Sequence, residues 1–207
     1  MAKGSIKDRL IYAAMWLALA APLPIVLVPA LTAFNPIEYI LRGLGLWGLR
    51  LLILGLVITP AARIFNLPVL IRYRRTVGLF AFTYIVLHLL SYVVLDQFFD
   101  WNRIFQDILK RPFITIGMGA FLALIPLAVT STNGMLRRLG PVLWKRLHSL
   151  IYLIVPAGLV HYWLMVKADH DSQIVYGAII AVLLAWRVWD RFQAAQRRKA
   201  RAAAKAS

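Results

Sequence analysis

The side chains that could perform redox or metal chemistry in this chain are its four histidines, because the sequence contains no cysteine. The lack of cysteine excludes disulfides, cysteine-ligated iron–sulfur clusters, c-type haem attachment and thiol catalysis. His88 and His161 lie inside long apolar stretches, whereas His148 and His170 lie beside charged residues. A ring buried in an apolar stretch is costly and therefore points to function.

His88 and His161 lie at matching depths of two apolar stretches that run in the same direction. Counted from Arg75, His88 is about 20 Å into its stretch, and counted from Arg146, His161 is about 22 Å into its own. Two imidazoles at one depth predict bis-histidine ligation of a haem iron, with one ring on each face of the porphyrin. The alternative is that each histidine forms an interhelical hydrogen bond that only stabilises the bundle.

Arg50 and His148 are the further candidates for binding a cofactor. Arg50 lies about 10 Å from the outer end of its stretch, at a depth comparable to the two histidines. Its guanidinium could pair with haem propionates, or could snorkel or bond to a helix carbonyl. His148 lies near the other face and about 140° from His161 around an ideal helix. It could ligate a second haem, bind a cofactor or be structural, while His170 is expected to be an exposed loop residue.

The elements that must position these residues are six apolar stretches, each long enough to cross a bilayer as a helix. The composition agrees, since 61% of the residues are hydrophobic and 15% are charged, with a mean hydropathy of +0.73. These values exclude an ordinary soluble enzyme and a disordered chain. We therefore predict an all-α integral membrane protein, a six-helix transmembrane bundle forming one domain over residues 1–190, with a basic tail over 191–207. The predicted spans cover residues 10–30, 44–65, 77–95, 113–130, 142–166 and 174–189.

The distribution of basic residues predicts the orientation of the bundle. Eighteen of the 24 Lys and Arg residues fall on the side of both termini, and five fall at the opposite ends of the spans. Since loops rich in Lys and Arg stay in the cytoplasm, both termini are predicted to be cytoplasmic. The net charge of +16 is thereby explained without a nucleic-acid partner. The tail is interpreted as a flexible solvated or lipid-binding extension.

Arg74 and Arg75 belong to a basic rim on the predicted cytoplasmic side. Such a rim could bind the phosphate of a flavin. The alternative is that these charges serve membrane topology alone, which already explains them.

Several short stretches carry a resemblance to a known family through their order and spacing. They are Gly45-Leu-Trp-Gly-Leu-Arg-Leu-Leu, Thr59-Pro-Ala-Ala-Arg63, Arg74-Arg-Thr-Val-Gly78, Thr130-Ser-Thr, Arg137-Arg-Leu-Gly140, Trp144-Lys-Arg-Leu-His148 and His161-Tyr-Trp163. With the His88, His148 and His161 pattern, the chain resembles the ferric reductase-like transmembrane domain. Within that superfamily it looks like the haem-binding subunits of bacterial periplasmic protein-methionine-sulfoxide reductases. The likeness covers all but the basic tail, although the superfamily's first histidine-bearing helix has two histidines and this one has only His88.

The resemblance implies a b-type cytochrome of the bacterial inner membrane with one haem b or two, and FMN as a further cofactor. His88 and His161 would be the ligands of the outer haem. Electrons would come from the quinone pool or a cytosolic flavin reductase and pass to a periplasmic molybdopterin-containing methionine sulfoxide reductase. The chain would then be the electron-transfer subunit and not the catalytic one.

Two other classes of function remain open from the sequence. A small proton or anion transporter could be lined by the buried histidines and Arg50. The absence of acidic residues at mid-membrane depth and of a visible inverted repeat argues against transport. A bare membrane anchor for a partner protein would tolerate replacement of the buried histidines.

Overall fold

The computed structural model describes residues 6–167 and 169–206, so the first five residues of the predicted domain and the last residue of the predicted tail lie outside the described residues. In the part described, six helical segments are long and apolar enough to cross a membrane. They are Ile6–Ala30, Pro36–Ile64, Pro68–Asp96, Pro112–Val129, Asn133–Met165 and Asp171–Ala204. The predicted all-α, six-span architecture of a multi-pass membrane protein is confirmed.

The helices are numbered in chain order, with a 3₁₀ turn at Pro68–Tyr73 and a π-helical turn at Tyr92–Asp96 on either side of α4. They are α1 (Ile6–Ala20), α2 (Pro22–Ala30), α3 (Pro36–Ile64), α4 (Arg74–Ser91), α5 (Trp101–Lys110), α6 (Pro112–Val129), α7 (Asn133–His148), α8 (Ile151–Met165) and α9 (Asp171–Ala206).

Local sequence fixes where the two helices nearest the site begin. α3 starts at Pro36, and the Asn35 side chain accepts a hydrogen bond from the Glu38 amide at 3.3 Å. α6 starts at Pro112. Proline suits the first helical turn because its missing N–H would be unpaired there, and asparagine is a favoured N-cap. The starting residues of α3 and α6 help to determine which of their residues face the interior of the bundle.

The fifth span, predicted over residues 142–166, is divided into two helices in the structure. α7 ends at His148 and α8 begins at Ile151, and α7 is itself kinked at Gly140, whose φ is +71°. Glycine adopts that left-handed conformation freely, and the following Pro141 has no N–H to continue the helical ladder. The angle of about 140° between His148 and His161, which assumes one ideal helix, therefore does not describe the protein.

The core of the bundle is organised around α3. Leu52 and Leu56 of α3 are buried together with Tyr84 of α4 and Val155 of α8. Tyr84 donates its hydroxyl to the Leu19 carbonyl at 3.1 Å, which ties α4 to α1. α3 packs most extensively on α4 and α6 on α8, while α4 also contacts α6 and α3 contacts α8. These four helices therefore surround one shared interior space.

α9 lies against α3 and α8 and is longer than its predicted span of 174–189. Asp190 of α9 pairs with Arg63 at the end of α3. The helix continues without a break through residue 191, where the basic tail was predicted to begin.

Candidate functional site

His88 of α4 and His161 of α8 face each other across the interior of the bundle. Their ring centroids are 6.1 Å apart and their ring planes are inclined by 76°. Both side chains line the same cavity. The sequence prediction that places these two histidines together is therefore matched by the geometry.

A backbone carbonyl holds each of the two rings. His88 Nδ1 lies 2.9 Å from the Leu41 carbonyl oxygen of α3, and His161 Nδ1 lies 2.6 Å from the Phe113 carbonyl oxygen of α6. A carbonyl oxygen only accepts hydrogen bonds, so each Nδ1 must carry the proton and donate it. The lone pair on each Nε2 is then available as a ligand, which is the usual arrangement of a metal-binding histidine.

Two glycines make room for the rings. A Cβ atom built on Gly117 would lie 2.7 Å from His161 Nδ1, and one built on Gly45 would lie 3.0 Å from His88 Nδ1. Contacts this short mean that a larger residue would displace the ring. Each histidine is therefore fixed by a carbonyl and a glycine of the facing helix.

The cavity between these helices has a volume of about 470 Å³ and differs in character between its two ends. Its deeper part is lined by Leu49, Leu52, Leu124 and Ile154, all of which are buried or partly buried apolar residues. The end of the cavity near the first residues of α3 and α6 carries the polar and charged residues Asn35, Glu38, Arg42, Asp96 and Arg111. The space suits a flat amphiphilic group with an apolar body and a polar edge.

The histidine pair fits a single metal ion between the rings. Imidazoles on opposite sides of one metal have centroids about 6 Å apart, since each metal–nitrogen bond is about 2 Å and each ring nitrogen is about 1 Å from its centroid. Either ring can rotate about its own metal–nitrogen bond, so the inclined planes are compatible with such ligation. Among residues 6–167 and 169–206, no group of three or more His, Asp or Glu could hold a metal unaided. The two imidazoles would therefore hold a metal together with ligands from a bound group, as the porphyrin predicted from the sequence would supply.

Arg50 does not line this cavity. Its Nε donates to the Tyr176 hydroxyl of α9 at 2.8 Å, and its guanidinium carbon lies 4.9 Å from the Trp47 ring centroid. The structure thus places Arg50 between α3 and α9, away from the histidine pair.

His148 forms a separate cluster towards the other end of the bundle. Its Nε2 lies 3.0 Å from Thr130 Oγ1, and its ring stacks on Trp144 with centroids 3.8 Å apart. Arg74 and Arg75 are close enough to His148 to interact electrostatically with it. The structure therefore brings three predicted residues, His148, Arg74 and Arg75, together, but not with His88 and His161.

His170 differs from the exposed loop residue predicted from the sequence. It is half-buried and its ring stacks on Trp163, with centroids 4.6 Å apart and planes inclined by 3°. A flat aromatic neighbour shields an imidazole face from water, which sequence position alone does not reveal.

Sequence reasoning missed the residues that surround the pair. The carbonyls of Leu41 and Phe113 have no sequence signal, because every residue carries one. Gly45 and Gly117 offered a weak signal, as glycine in a helix interior often marks a close approach. Arg42 and Arg111 are two of the five basic residues at the ends of the spans opposite the termini, and no further role was predicted for them.

Comparison with known proteins shows which family the chain resembles. The family described as "Ferric reductase like transmembrane component" matches residues 44–159. No solved structure matches the chain.

Relatives of similar length extend that match to most of the chain. A protein of Caulobacter vibrioides is 57% identical over 188 residues, covering 89% of this chain and 90% of the relative. One of Rhodospirillum rubrum is 53% identical over 154 residues, or 74% of each chain, and one of Herminiimonas arsenicoxydans is 50% identical over 161 residues, or 77% of this chain and 74% of the relative. Each of the three relatives is named "Protein-methionine-sulfoxide reductase heme-binding subunit MsrQ".

Proposed function

The chain belongs to the ferric reductase-like transmembrane family and, within it, to the MsrQ family, and from that membership we propose that it is a haem-binding electron-transfer subunit of a methionine sulfoxide reductase system. It carries electrons across the membrane and hands them to a partner that performs the reduction. The chain itself forms and breaks no bonds of the substrate.

The observation that carries this proposal is the state of the two histidines. Both Nδ1 atoms donate to carbonyls, both Nε2 atoms are left as ligands, and the ring separation of 6.1 Å suits one metal between them. Each Nδ1 bond also joins one helix to another, as the bond of a purely structural histidine would, so what distinguishes this pair is the unused Nε2 of both rings. Among the described residues, neither Nε2 has a hydrogen-bond partner.

Each part of the site has a task that follows from its chemistry. His88 and His161 would hold the haem iron, and the carbonyls of Leu41 and Phe113 fix the orientation of the rings and increase the basicity of each Nε2. The apolar lining excludes water from the deeper part of the cavity. A bound haem supplies an iron that accepts and returns one electron.

The cluster around His148 is proposed as the electron-entry end. Arg74 and Arg75 carry positive charge beside His148, and Arg75 donates to the Asn133 side chain at 2.5 Å. Guanidinium groups bind phosphate strongly, so this end suits the phosphate of FMN. The electron donor is the quinone pool or a flavin reductase in the cytosol. A second haem would need His148 as a ligand, giving two haems in place of one.

The electron acceptor is proposed to be a periplasmic molybdopterin-containing methionine sulfoxide reductase. The word "subunit" in the relatives' name supports a reductase partner. The membrane is then the bacterial inner membrane, with both termini in the cytoplasm as the charge distribution predicts.

Single-cysteine labelling tests this orientation without background, because the chain has no cysteine of its own. Asn102 of α5 and Gln196 of α9 are both exposed. An Asn102→Cys variant in intact cells should react with a membrane-impermeant maleimide at least tenfold faster than a Gln196→Cys variant. After the cells are broken open, the two variants should react at similar rates. The reverse order in intact cells would overturn the proposed orientation.

The proposed function itself is tested by optical spectra of the purified membrane protein, oxidised and then reduced, together with extraction of the haem. We expect the sharp reduced bands of a six-coordinate b-type cytochrome, and at least one haem per chain. A ratio near two would assign a haem to His148. Folded but colourless protein from haem-supplied cells would overturn the electron-transfer proposal, and transport of protons or anions into liposomes by that protein would replace it.

A further inference from the structure

The polar end of the histidine cavity contains two arginines whose positions mirror each other. Arg42 is next in sequence to Leu41, whose carbonyl holds His88. Arg111 is separated only by Pro112 from Phe113, whose carbonyl holds His161. Both arginines line the cavity. One arginine therefore lies next to each of the two carbonyls, those of Leu41 and Phe113, that orient the proposed ligands. Both arginines lie at the polar end of the cavity.

Arg111 is held in place but retains free donors. Its Nε lies 3.0 Å from Asp107 Oδ1, and Asp107 is only 7% exposed and accepts a hydrogen bond from the Tyr92 hydroxyl at 2.9 Å. A guanidinium has five N–H donors in a planar fork. Among the described residues, both terminal nitrogens of Arg111 are without a hydrogen-bond partner. Asp107 and Tyr92 thus position Arg111 without saturating it.

Arg42, like Arg111, forms an ion pair with a carboxylate of its own helical segment. One terminal nitrogen pairs with Glu38, four residues earlier on α3. No other hydrogen bond of Arg42 is found among the described residues. The rest of its fork remains available to a group in the cavity.

We propose that Arg42 and Arg111 bind the two propionate carboxylates of the haem, one each, so that the polar edge of the porphyrin faces the outer end of the bundle. This inference rests on the proposed haem-binding function. A porphyrin has an apolar body and two carboxylates on one edge, which matches a cavity that is apolar inside and charged at its outer end. Arginine binds carboxylates through charge-assisted and often bidentate hydrogen bonds. The assignment replaces Arg50, which lies outside the cavity, as the partner of the propionates.

Glu38 makes the assignment more specific, because it competes for Arg42. Its carboxylate pairs with Arg42 and also accepts from the Asn35 side chain at 3.1 Å. A propionate would have to share Arg42 with Glu38. Neutralising Glu38 should therefore strengthen propionate binding, whereas neutralising Arg42 should weaken it.

The experiment compares haem b with its dimethyl ester, in which both carboxylates are neutral. The full chain is produced without haem, purified in detergent and titrated with each porphyrin, and the six-coordinate spectrum reports binding. The measured quantity is the ratio of the two dissociation constants. Detergent partitioning affects that ratio equally in every variant, so differences between variants report the protein alone.

We expect the wild-type chain to prefer the free acid. Arg42→Gln and Arg111→Gln should each reduce this preference about tenfold, since one tenfold step corresponds to one charge-assisted contact. Glu38→Gln should increase the preference. Arg103→Gln is the matched control, because Arg103 is an exposed arginine of α5 that does not line the cavity, and its ratio should equal that of the wild type.

Ratios that are the same in wild type, Arg42→Gln and Arg111→Gln would overturn the propionate assignment while leaving haem binding intact. If a glutamine variant does not fold, Glu38→Gln still decides, because an unchanged ratio in that variant contradicts the competition between Glu38 and a propionate for Arg42. A wild-type chain that binds neither porphyrin would instead overturn the proposed function.

Discussion

His88→Ala and His161→Ala are each expected to reduce the haem content of the purified protein at least tenfold and to abolish its six-coordinate spectrum. Each ring supplies one of the two nitrogen ligands, and the rings belong to different helices, α4 and α8. Neither protein ligand can be replaced by the other, because the remaining imidazole is held by its own carbonyl. Haem extraction and reduced spectra measure the effect.

Imidazole added to the buffer gives this prediction a direct control. The alanine variants leave a space the size of the lost ring, so free imidazole should restore a six-coordinate spectrum in both. His170→Ala removes a histidine that stacks on Trp163 outside the cavity, and it should leave the spectrum unchanged. A normal six-coordinate spectrum in His88→Ala without added imidazole would contradict the ligand assignment.

The depth of the histidines could be predicted from the sequence because depth depends only on counting residues along a helix. His88 and His161 were placed at one level by their distances from Arg75 and Arg146, and the structure brings the two rings to 6.1 Å. The rise of 1.5 Å per residue is nearly constant in every helix, so such counts transfer well.

The rotation of a side chain around its helix is a separate coordinate, which counting residues from the end of a span does not give. On α3 the residues that line the cavity include Arg42, Gly45, Leu46 and Leu49, which share one face at helical spacing. Each residue turns the helix by about 100°, so Arg50 follows Leu49 onto a neighbouring face. There it contacts Tyr176 in place of the cavity. Arg42 belongs to the correct face, but nothing in the sequence alone defines which face that is.

The break in the fifth span was hidden for a related reason. Pro156 and Gly158 lie between His148 and His161, yet α8 runs through both, and the interruption lies at residues 149–150 with a further kink at Gly140. Proline is tolerated in membrane helices because neighbouring groups bond to the freed carbonyl. The tertiary surroundings therefore decide where the helix breaks. As a result His148 lies in a cluster of its own with Thr130 and Trp144.

The histidine site depends on the lack of side chains at Gly45 of α3 and Gly117 of α6 as much as on the histidine rings. Gly117→Ala is expected to weaken haem binding about tenfold to a hundredfold, because overpacking of this kind costs about 1–3 kcal/mol. Its Cβ would lie 2.7 Å from His161 Nδ1, and the ring cannot retreat without losing its hydrogen bond to Phe113. Gly45→Ala should have a smaller effect, since the corresponding distance to His88 Nδ1 is 3.0 Å. Haem titration and the reduced spectrum measure both variants.

Gly119→Ala separates this steric effect from the general effect of removing a glycine from a helix. Gly119 lies on α6, two residues after Gly117, and a Cβ there meets nothing within 4 Å. Both substitutions improve helix propensity by a similar amount, so the difference between them reports the contact with His161. Gly119→Ala should bind haem as the wild type does. Equal haem binding by Gly117→Ala and Gly119→Ala would mean that His161 is not held against α6 when the protein carries its cofactor, and the carbonyl of Phe113 would then lose its role in orienting the ligand.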